Sequence, residues 1–118
     1  MTLDEYFGDY QAARQIFETV NQMVEVIGPA NLRVTKSQVA FRRRVNFAFV
    51  WMPAMYLKHG DVPLVLTIGL RRRDTSLRWK QIVEPAAGRF THHLELREPS
   101  EVDEQVRRWL EEAWLLAG

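Results

Sequence analysis

The chain has 118 residues, no cysteine and a formal net charge of +1, with 47% hydrophobic and 26% charged residues. This length and composition predict one globular domain over residues 1–118, with a core that needs no metal or disulfide. The lack of cysteine excludes disulfides, thiol nucleophiles and thiolate metal sites, and the net charge is too small to indicate nucleic-acid binding by itself.

The apolar runs of the chain indicate neither secretion nor a membrane span. The N-terminal segment is acidic and lacks the basic, apolar pattern of a signal peptide. The longest apolar run, residues 47–57, is interrupted by Pro53 and is far shorter than a membrane-spanning helix. We therefore expect a cytoplasmic protein without a membrane partner.

Two long amphipathic helices are predicted, one near each end of the chain. The first begins after Asp9 as N-cap and ends at Gly28, which is followed by Pro29. The second begins at Ser100 in a sequence that resembles a capping box. Their apolar residues recur at steps of three and four, which is typical of a face that packs on a core. These residues are Ala12, Ala13, Ile16, Phe17, Val20, Met23, Val24 and Ile27, then Val102, Val106, Trp109, Leu110, Ala113 and Trp114.

Between the helices the apolar period changes to two, which predicts strands. The expected strands are a short one containing Leu32 and Val34, then residues 38–44, 47–52, 64–72, 79–84 and 89–97. Residues 54–63 are expected to form a loop with Tyr56 and Leu57 as anchors. Gly69 in the fourth strand predicts either a bulge or room for another group to approach the backbone.

This order predicts an α+β fold: an antiparallel sheet of five or six strands in a meander, with the N- and C-terminal helices packed on one face. Short connections make neighbouring strands antiparallel. Two helices cover only one face of such a sheet, so we expect the other face to be partly open and to carry polar and aromatic side chains.

Two arginine triplets, Arg42–Arg44 and Arg71–Arg73, mark the ends of two predicted strands. Because consecutive strand residues alternate between faces, at most two arginines of each triplet share one face. Guanidinium groups bind phosphate or carboxylate through paired hydrogen bonds, and aromatic rings stack on bases. The candidate ligand-binding residues are Lys36, Arg42, Arg44, Trp51, Arg71, Arg73, Trp79, Arg89, His93 and Glu95. The alternative is that these arginines only face solvent and protect strand edges from aggregation.

The last predicted strand contains adjacent histidines that alternation sends to opposite faces. His92 is expected with the core residues and His93 with the polar ones, two residues from Glu95. Contact between His93 and Glu95 would raise the proton affinity of the imidazole and suggest an acid/base pair. A hydrogen bond that merely satisfies a half-buried imidazole is favoured, because no third partner is visible.

We expect no metal, no cofactor and no catalytic residue. His59 lies in the predicted loop, and no HxH, HExxH or acidic cluster accompanies it. The chain also lacks the GxGxxG, Walker and G-x-S-x-G motifs of nucleotide-binding and hydrolytic sites.

Several stretches resemble an uncharacterised bacterial domain family. They are VTKSQVAFRRRVNFAFVW from residue 34, PLVLTIGL, RWKQIVEPAAGRFTHHLEL and the closing RRWLEEAW. The family shares a K-x-x-x-A-F-x-R strand, a G-R-x-x-H-H strand and a C-terminal helix, so the resemblance covers nearly the whole chain. The family is one of unknown function with no established catalytic residue, and the resemblance therefore implies none here. The positions that match its pattern are Lys36, Phe41, Arg43, Arg89, His92 and His93.

Three functional hypotheses follow. The leading one is a non-catalytic binding module for an anionic ligand, with nucleic acid or a nucleotide as the first candidate. The alternative is a protein-interaction or dimerisation domain, with a homodimer formed through the open sheet face or an edge. An enzyme that uses His93 and Glu95 is the third.

Overall fold

The computed structural model describes residues 1–56 and 61–118, and the α+β fold class is confirmed. Two residues named above, Leu57 as a loop anchor and His59, lie outside the described residues. The helices are α1 (Leu3–Phe7), α2 (Gln11–Ile27) and α3 (Glu104–Leu116), with short 3-10 helices at Pro53–Met55 and Pro99–Glu101. The strands are β1 (Asn31–Val34), β2 (Val39–Arg42), β3 (Asn46–Trp51), β4 (Leu64–Leu70), β5 (Gln81–Ala86) and β6 (Arg89–Leu96).

The six strands form one antiparallel sheet in the order β1-β2-β3-β4-β6-β5. Strands β1 to β4 follow one another as a meander. The β5–β6 hairpin joins the sheet through β6, which pairs with β4 from Leu64 opposite Leu96 to Leu70 opposite Phe90. Strand β6 is therefore internal, and β5 forms an edge.

Both long helices pack on the same face of the sheet, as expected. Strand β4 shows why, because its alternate residues Leu64, Leu66, Ile68 and Leu70 join one core cluster with α2 and α3. The helices contribute Ile16, Phe17 and Val20 from α2, and Val106, Trp109 and Leu110 from α3. Full burial of such side chains contributes about 1.5–3 kcal/mol each. The other residues of β4, Val65, Thr67 and Gly69, face away from the helices, on what we call the open face.

Both helices begin later than the sequence predicted. Tyr10, and not Asp9, is the N-cap of α2, and its side chain makes no capping hydrogen bond. Asp103, and not Ser100, caps α3, because its carboxylate accepts a hydrogen bond from the Val106 N–H while Ser100 lies in a 3-10 helix. Between β6 and α3 the chain forms the short 3-10 helix that begins at Pro99.

Strand β5 is shifted toward the C-terminus relative to the predicted strand 79–84. It begins at Gln81 because the side chain of Trp79 turns into the core. It continues through Pro85, which an edge strand tolerates because its outer backbone groups have no partner strand. The turn is shorter than predicted and ends at Gly88, whose φ of 73° suits glycine.

The middle arginine of each triplet attaches α3 to the sheet. Arg43 stacks on Trp114, with its guanidinium carbon 3.6 Å from the ring centroid, and donates to the Trp114 carbonyl at 3.1 Å. Arg72 donates two parallel hydrogen bonds to the Glu112 carboxylate, at 2.9 and 2.8 Å. Planar guanidinium groups are suited to both arrangements. The position of α3 therefore depends in part on two arginines whose contacts with the helix the sequence pattern did not indicate.

The close approach of α2 and α3 requires glycine at position 28. A Cβ atom there would lie 2.7 Å from Cε2 and 2.9 Å from Cη2 of Trp114. The indole cannot easily move, because its Nε1 donates to the Pro29 carbonyl at 2.9 Å and Arg43 covers its face. We expect Gly28→Ala to lower the free energy of unfolding by about 1–3 kcal/mol in urea denaturation, as overpacking does.

Gly69→Ala is the matched control for Gly28→Ala. A Cβ at Gly69 would have only the Phe47 carbonyl oxygen nearby, at 3.7 Å. We expect this variant to unfold at the same urea concentration as the wild type or a higher one. Equal stabilities of the two variants would contradict the packing that we describe for Trp114.

Candidate functional site

A groove of about 360 Å³ lies where one end of the sheet meets the C-terminal end of α3. Its apolar wall consists of Val45, Phe47, Phe49, Leu70, Pro85, Phe90, Ala113, Leu116 and Ala117. Its polar groups come from Asn46, Arg71, Arg89 and Thr91, with the backbone of Gly69. We call this cavity the α3 groove.

Alternation along β4 and β6 brings the polar groups of the α3 groove together. Gly69 pairs with Thr91, and Arg71 and Arg89 are each two residues further toward the same end of the sheet. The β4–β6 register is continuous, so Gly69 does not mark a bulge. It is exposed, and the space where a side chain would stand is open. Of the two roles that the sequence suggested for Gly69, the structure matches the second, which is room at the backbone.

Arg71 and Arg89 have no ion-pair partner in the described part of the chain, whereas Arg72 and Arg78 are paired with acids. Both are exposed at the mouth of an apolar groove. The nearby Glu84 carboxylate accepts instead from the Gly88 backbone N–H at 3.0 Å. Two cations without counter-charges are available to bind an anionic group.

Next to the α3 groove, three side chains form a hydrogen-bonded row on the open face. The Trp51 indole Nε1 donates to Thr67 Oγ1 at 3.1 Å, and Thr67 Oγ1 lies 2.8 Å from His93 Nδ1. Thr67 and His93 are directly opposite in the β4–β6 register. Partial burial, together with the proximity of His92, lowers the pKa of His93. His93 is therefore predominantly neutral at pH 7.

Glu95 does not raise the proton affinity of His93, because burial and the proximity of His92 lower the pKa of His93. Its hydrogen-bond partner is Thr67, which stands directly opposite on β4. A directly opposite residue on a neighbouring strand is closer than a residue two positions along the same strand. Glu95 instead lies 3.8 Å from Arg97. The arrangement matches the alternative interpretation, a hydrogen bond that satisfies a half-buried imidazole.

The ten candidate ligand residues fall into separate places. Arg71 and Arg89 line the α3 groove, and Trp51, His93 and Glu95 share the open face next to it. Arg42 lines a second cleft with Asn31, Arg43 and Trp114. The others are exposed in turns or loops: Lys36 between β1 and β2, Arg44 between β2 and β3, and Arg73 after β4.

Trp79 does not provide an aromatic surface for a ligand, because it is buried beneath α3. Its ring centroid is 4.1 Å from that of Trp109 and 4.8 Å from that of His92. Its Nε1 donates to the Asp74 carboxylate at 2.9 Å. The sequence suggested that Trp79 lies in a strand and that its ring is free to stack on a ligand. Instead the chain bends before β5 and turns the indole inward.

Sequence analysis missed a buried polar network that fixes the segment after β4. His92 is fully buried, and its Nε2 accepts a hydrogen bond from the Asp74 backbone N–H at 3.0 Å. Its Nδ1 lies 3.2 Å from the Phe90 carbonyl oxygen, so Nδ1 carries the proton. Burial lowers the pKa of His92, which keeps the imidazole neutral. The alternation signal placed His92 with the core but did not show its partner.

The Asp74 carboxylate completes this network. Burial raises its pKa, but hydrogen bonds from Trp79, the Ser76 backbone N–H and Arg72 outweigh burial and lower the pKa to about 2. The sequence signal for this arrangement was Asp-Thr-Ser, a typical turn sequence in which the aspartate bonds the backbone two residues later.

We expect stability to fall as the pH is lowered from 7.5 to 5. The folded-state pKa of His92 and that of His93 lie below the ordinary value of 6.5, so the unfolded chain binds these protons first. Their contribution to stability is fully present above pH 6.5 and is lost as the pH falls toward the folded-state values. Asp74 contributes in the same direction only at lower pH, nearer to 2.

Urea denaturation at pH 7.5 and pH 5, with NMR titration of the imidazole rings, measures this effect. We expect His92 to titrate below 6.5. A pKa for His92 above 6.5, or a higher urea midpoint at pH 5, would contradict the hydrogen bonds described for its two ring nitrogens.

A family model described as a domain of unknown function, DUF5655, matches residues 3–117. The chain belongs to this family. The comparison with curated proteins and the comparison with solved structures found no match. The resemblance of this DUF5655 domain to an uncharacterised domain family is thus confirmed. The description of the family states no function, so a function for this domain is argued from its geometry.

Two further observations concern the described residues of the DUF5655 domain alone. None of the described helices combines the length and apolar character needed to cross a membrane. Residues 1–56 and 61–118 contain no group of three or more histidine, aspartate or glutamate side chains placed to hold a metal ion.

Proposed function

We propose that this DUF5655 domain is a non-catalytic binding module for a nucleotide or a single-stranded nucleic acid, which it binds in the α3 groove. The observation that carries the proposal is the pair Arg71 and Arg89, two guanidinium groups without an acidic partner among the described residues, at the mouth of a groove with aromatic walls.

The chemistry of the groove suits a ligand with an anionic end and a flat, apolar body. Guanidinium groups bind phosphate through paired, charge-assisted hydrogen bonds. Phe49, on the same face as Thr67, offers aromatic surface for a base, and aromatic stacking accepts any base. The volume of about 360 Å³ lies within the range of about 300–1,000 Å³ that is typical of small-molecule sites.

The distribution of charge favours a nucleotide or a single strand over duplex DNA. Duplex binding relies on many phosphate contacts along an extended cationic surface. Here Arg42 lies in a separate cleft, and Glu84 and Glu95 lie in the two strands next to the groove. The cations near the α3 groove therefore suit one or two phosphates.

Dimerisation remains the second candidate, and one observation favours it. Strand β5 is an edge strand whose Val83 side chain is 39% exposed, so an apolar group stands at an unpaired edge. Pro85 limits this edge, because it has no N–H to donate to a partner strand. A homodimer in sedimentation equilibrium that Val83→Lys converts to a monomer would support this candidate.

We expect Arg71→Ala and Arg89→Ala each to weaken binding of a labelled oligothymidylate about tenfold or more, because each removes charge-assisted hydrogen bonds to phosphate. Fluorescence anisotropy across a salt series measures the affinity, and wild-type binding is expected to weaken as salt increases. Circular dichroism confirms that each variant is folded.

Arg73→Ala and Arg42→Ala are the matched controls, because both arginines are exposed and neither lines the α3 groove. We expect both to retain affinity within about threefold of the wild type, which is what loss of a distant exposed charge costs. The proposal is contradicted if the folded wild type binds neither oligothymidylate nor nucleotides at low salt. It is also contradicted if the control variants lose as much affinity as the groove variants.

A further inference from the structure

The hydrogen-bonded row on the open face determines which nitrogen of His93 carries the proton. The Trp51 indole N–H can only donate, so Thr67 Oγ1 accepts that hydrogen bond. Within the described residues, the acceptor in reach of the Thr67 hydroxyl proton is His93 Nδ1, at 2.8 Å. A neutral imidazole whose Nδ1 accepts carries its proton on Nε2. His93 is thus prepared to donate a hydrogen bond from Nε2.

His93 lies directly beyond the inner end of the α3 groove. Thr91 lines the groove, and His93 is two residues further along β6 on the same face, about 7 Å away. Phe49, which also lines the groove, pairs in register with Thr67, the residue that holds His93. Arg71 and Arg89 lie at the opposite, outer end. A nucleotide with its phosphate on the arginines would therefore extend its base across Phe49 toward His93.

We infer that His93 selects bases with a carbonyl oxygen at C4 of a pyrimidine or C6 of a purine, so that the α3 groove prefers uridine and inosine nucleotides to cytidine and adenosine nucleotides. The inference rests on the proposed function. The Nε2–H of His93 donates to the oxygen of uracil or hypoxanthine. Cytosine and adenine carry an amino group at the corresponding position, and two facing donors leave both without an acceptor.

Thr67 acts as a positioning residue in this selection. It does not reach the base but keeps the proton of His93 on Nε2. Its own position is fixed by burial, with 4% of its surface exposed, and by the hydrogen bond from Trp51. Without the hydroxyl group, His93 Nδ1 would lose its donor and the two tautomers of the imidazole would no longer be distinguished.

Calorimetric titration with two matched pairs of ligands tests the inference on the intact protein. UMP and CMP differ in the group at C4 and in the proton on the neighbouring N3, and IMP and AMP differ in the group at C6 and in the proton on the neighbouring N1. We expect UMP and IMP to bind about tenfold more tightly than their amino counterparts, as expected for loss of one buried hydrogen bond. Ribose 5-phosphate measures the contribution of the phosphate alone.

Three variants assign the preference to the hydrogen-bonded row. His93→Phe is expected to remove the preference while binding of ribose 5-phosphate stays unchanged, and His93→Gln, which keeps an N–H donor, is expected to retain part of it. Thr67→Val is expected to reduce the preference, because the proton of the His93 imidazole would no longer be kept on Nε2. Should Thr67→Val fail to fold, the ligand pairs on the wild type and on the two His93 variants still decide the question.

The outcomes separate the two proposals. Equal binding of all four nucleotides, lost in Arg71→Ala, would overturn the selection by His93 and leave the proposed function intact. A preference that persists in His93→Phe would also overturn it, because another group would then be responsible. If none of the nucleotides binds the folded wild type, the proposed function fails and the selection fails with it.

Discussion

The structure depends on the attachment of α3 to the sheet, which Arg43 and Arg72 provide. Arg43 lies over the Trp114 ring, and Arg72 donates two hydrogen bonds to Glu112, so the C-terminal part of α3 is held at two positions. Those turns also contain Ala113 and Leu116, which form one wall of the α3 groove. The groove therefore depends on these two contacts as well as on the buried residues of α3.

Each arginine triplet begins at the last residue of a strand or directly after it, and each has two roles. The middle residues, Arg43 and Arg72, are directed to the side that the helices cover, and there they find an aromatic ring and a carboxylate. Their neighbours are left to face solvent or the open face, where Arg71 reaches the α3 groove. One sequence feature thus provides both the structural contact and the candidate ligand contact.

Much of the fold was predictable from hydrophobic periodicity. The steps of three and four and the alternation by two identify both long helices and the sheet, because burial of one face is a local property of each element. The start of α3 and the extent of β5 were not predictable in this way. They depend on Arg78, which donates to the Asp103 carboxylate at 3.0 Å, and on the burial of Trp79 against Trp109, both of which join distant parts of the chain.

The candidate site was predictable only in part, for a similar reason. Parity along the last strand separated His93 from the core residues, but its partner follows from the β4–β6 register, which brings Thr67 opposite. The division of the arginines between two clefts also arises from tertiary packing, since Arg42 lies beside Trp114 while Arg71 lies on the other side of α3's end. A sequence pattern shows which face of a strand or helix a residue occupies. It does not show which residues of other elements that side chain contacts.

The most direct test of the α3 groove as a ligand site is a titration of the ¹⁵N-labelled domain with UMP, followed by backbone amide chemical shifts. The account predicts saturable shifts centred on Gly69, Arg71, Arg89 and Thr91, the residues whose backbone or side chains line the groove. Shifts centred on Asn31 and Arg42, the second cleft, would contradict it, and so would the absence of any shift at millimolar UMP.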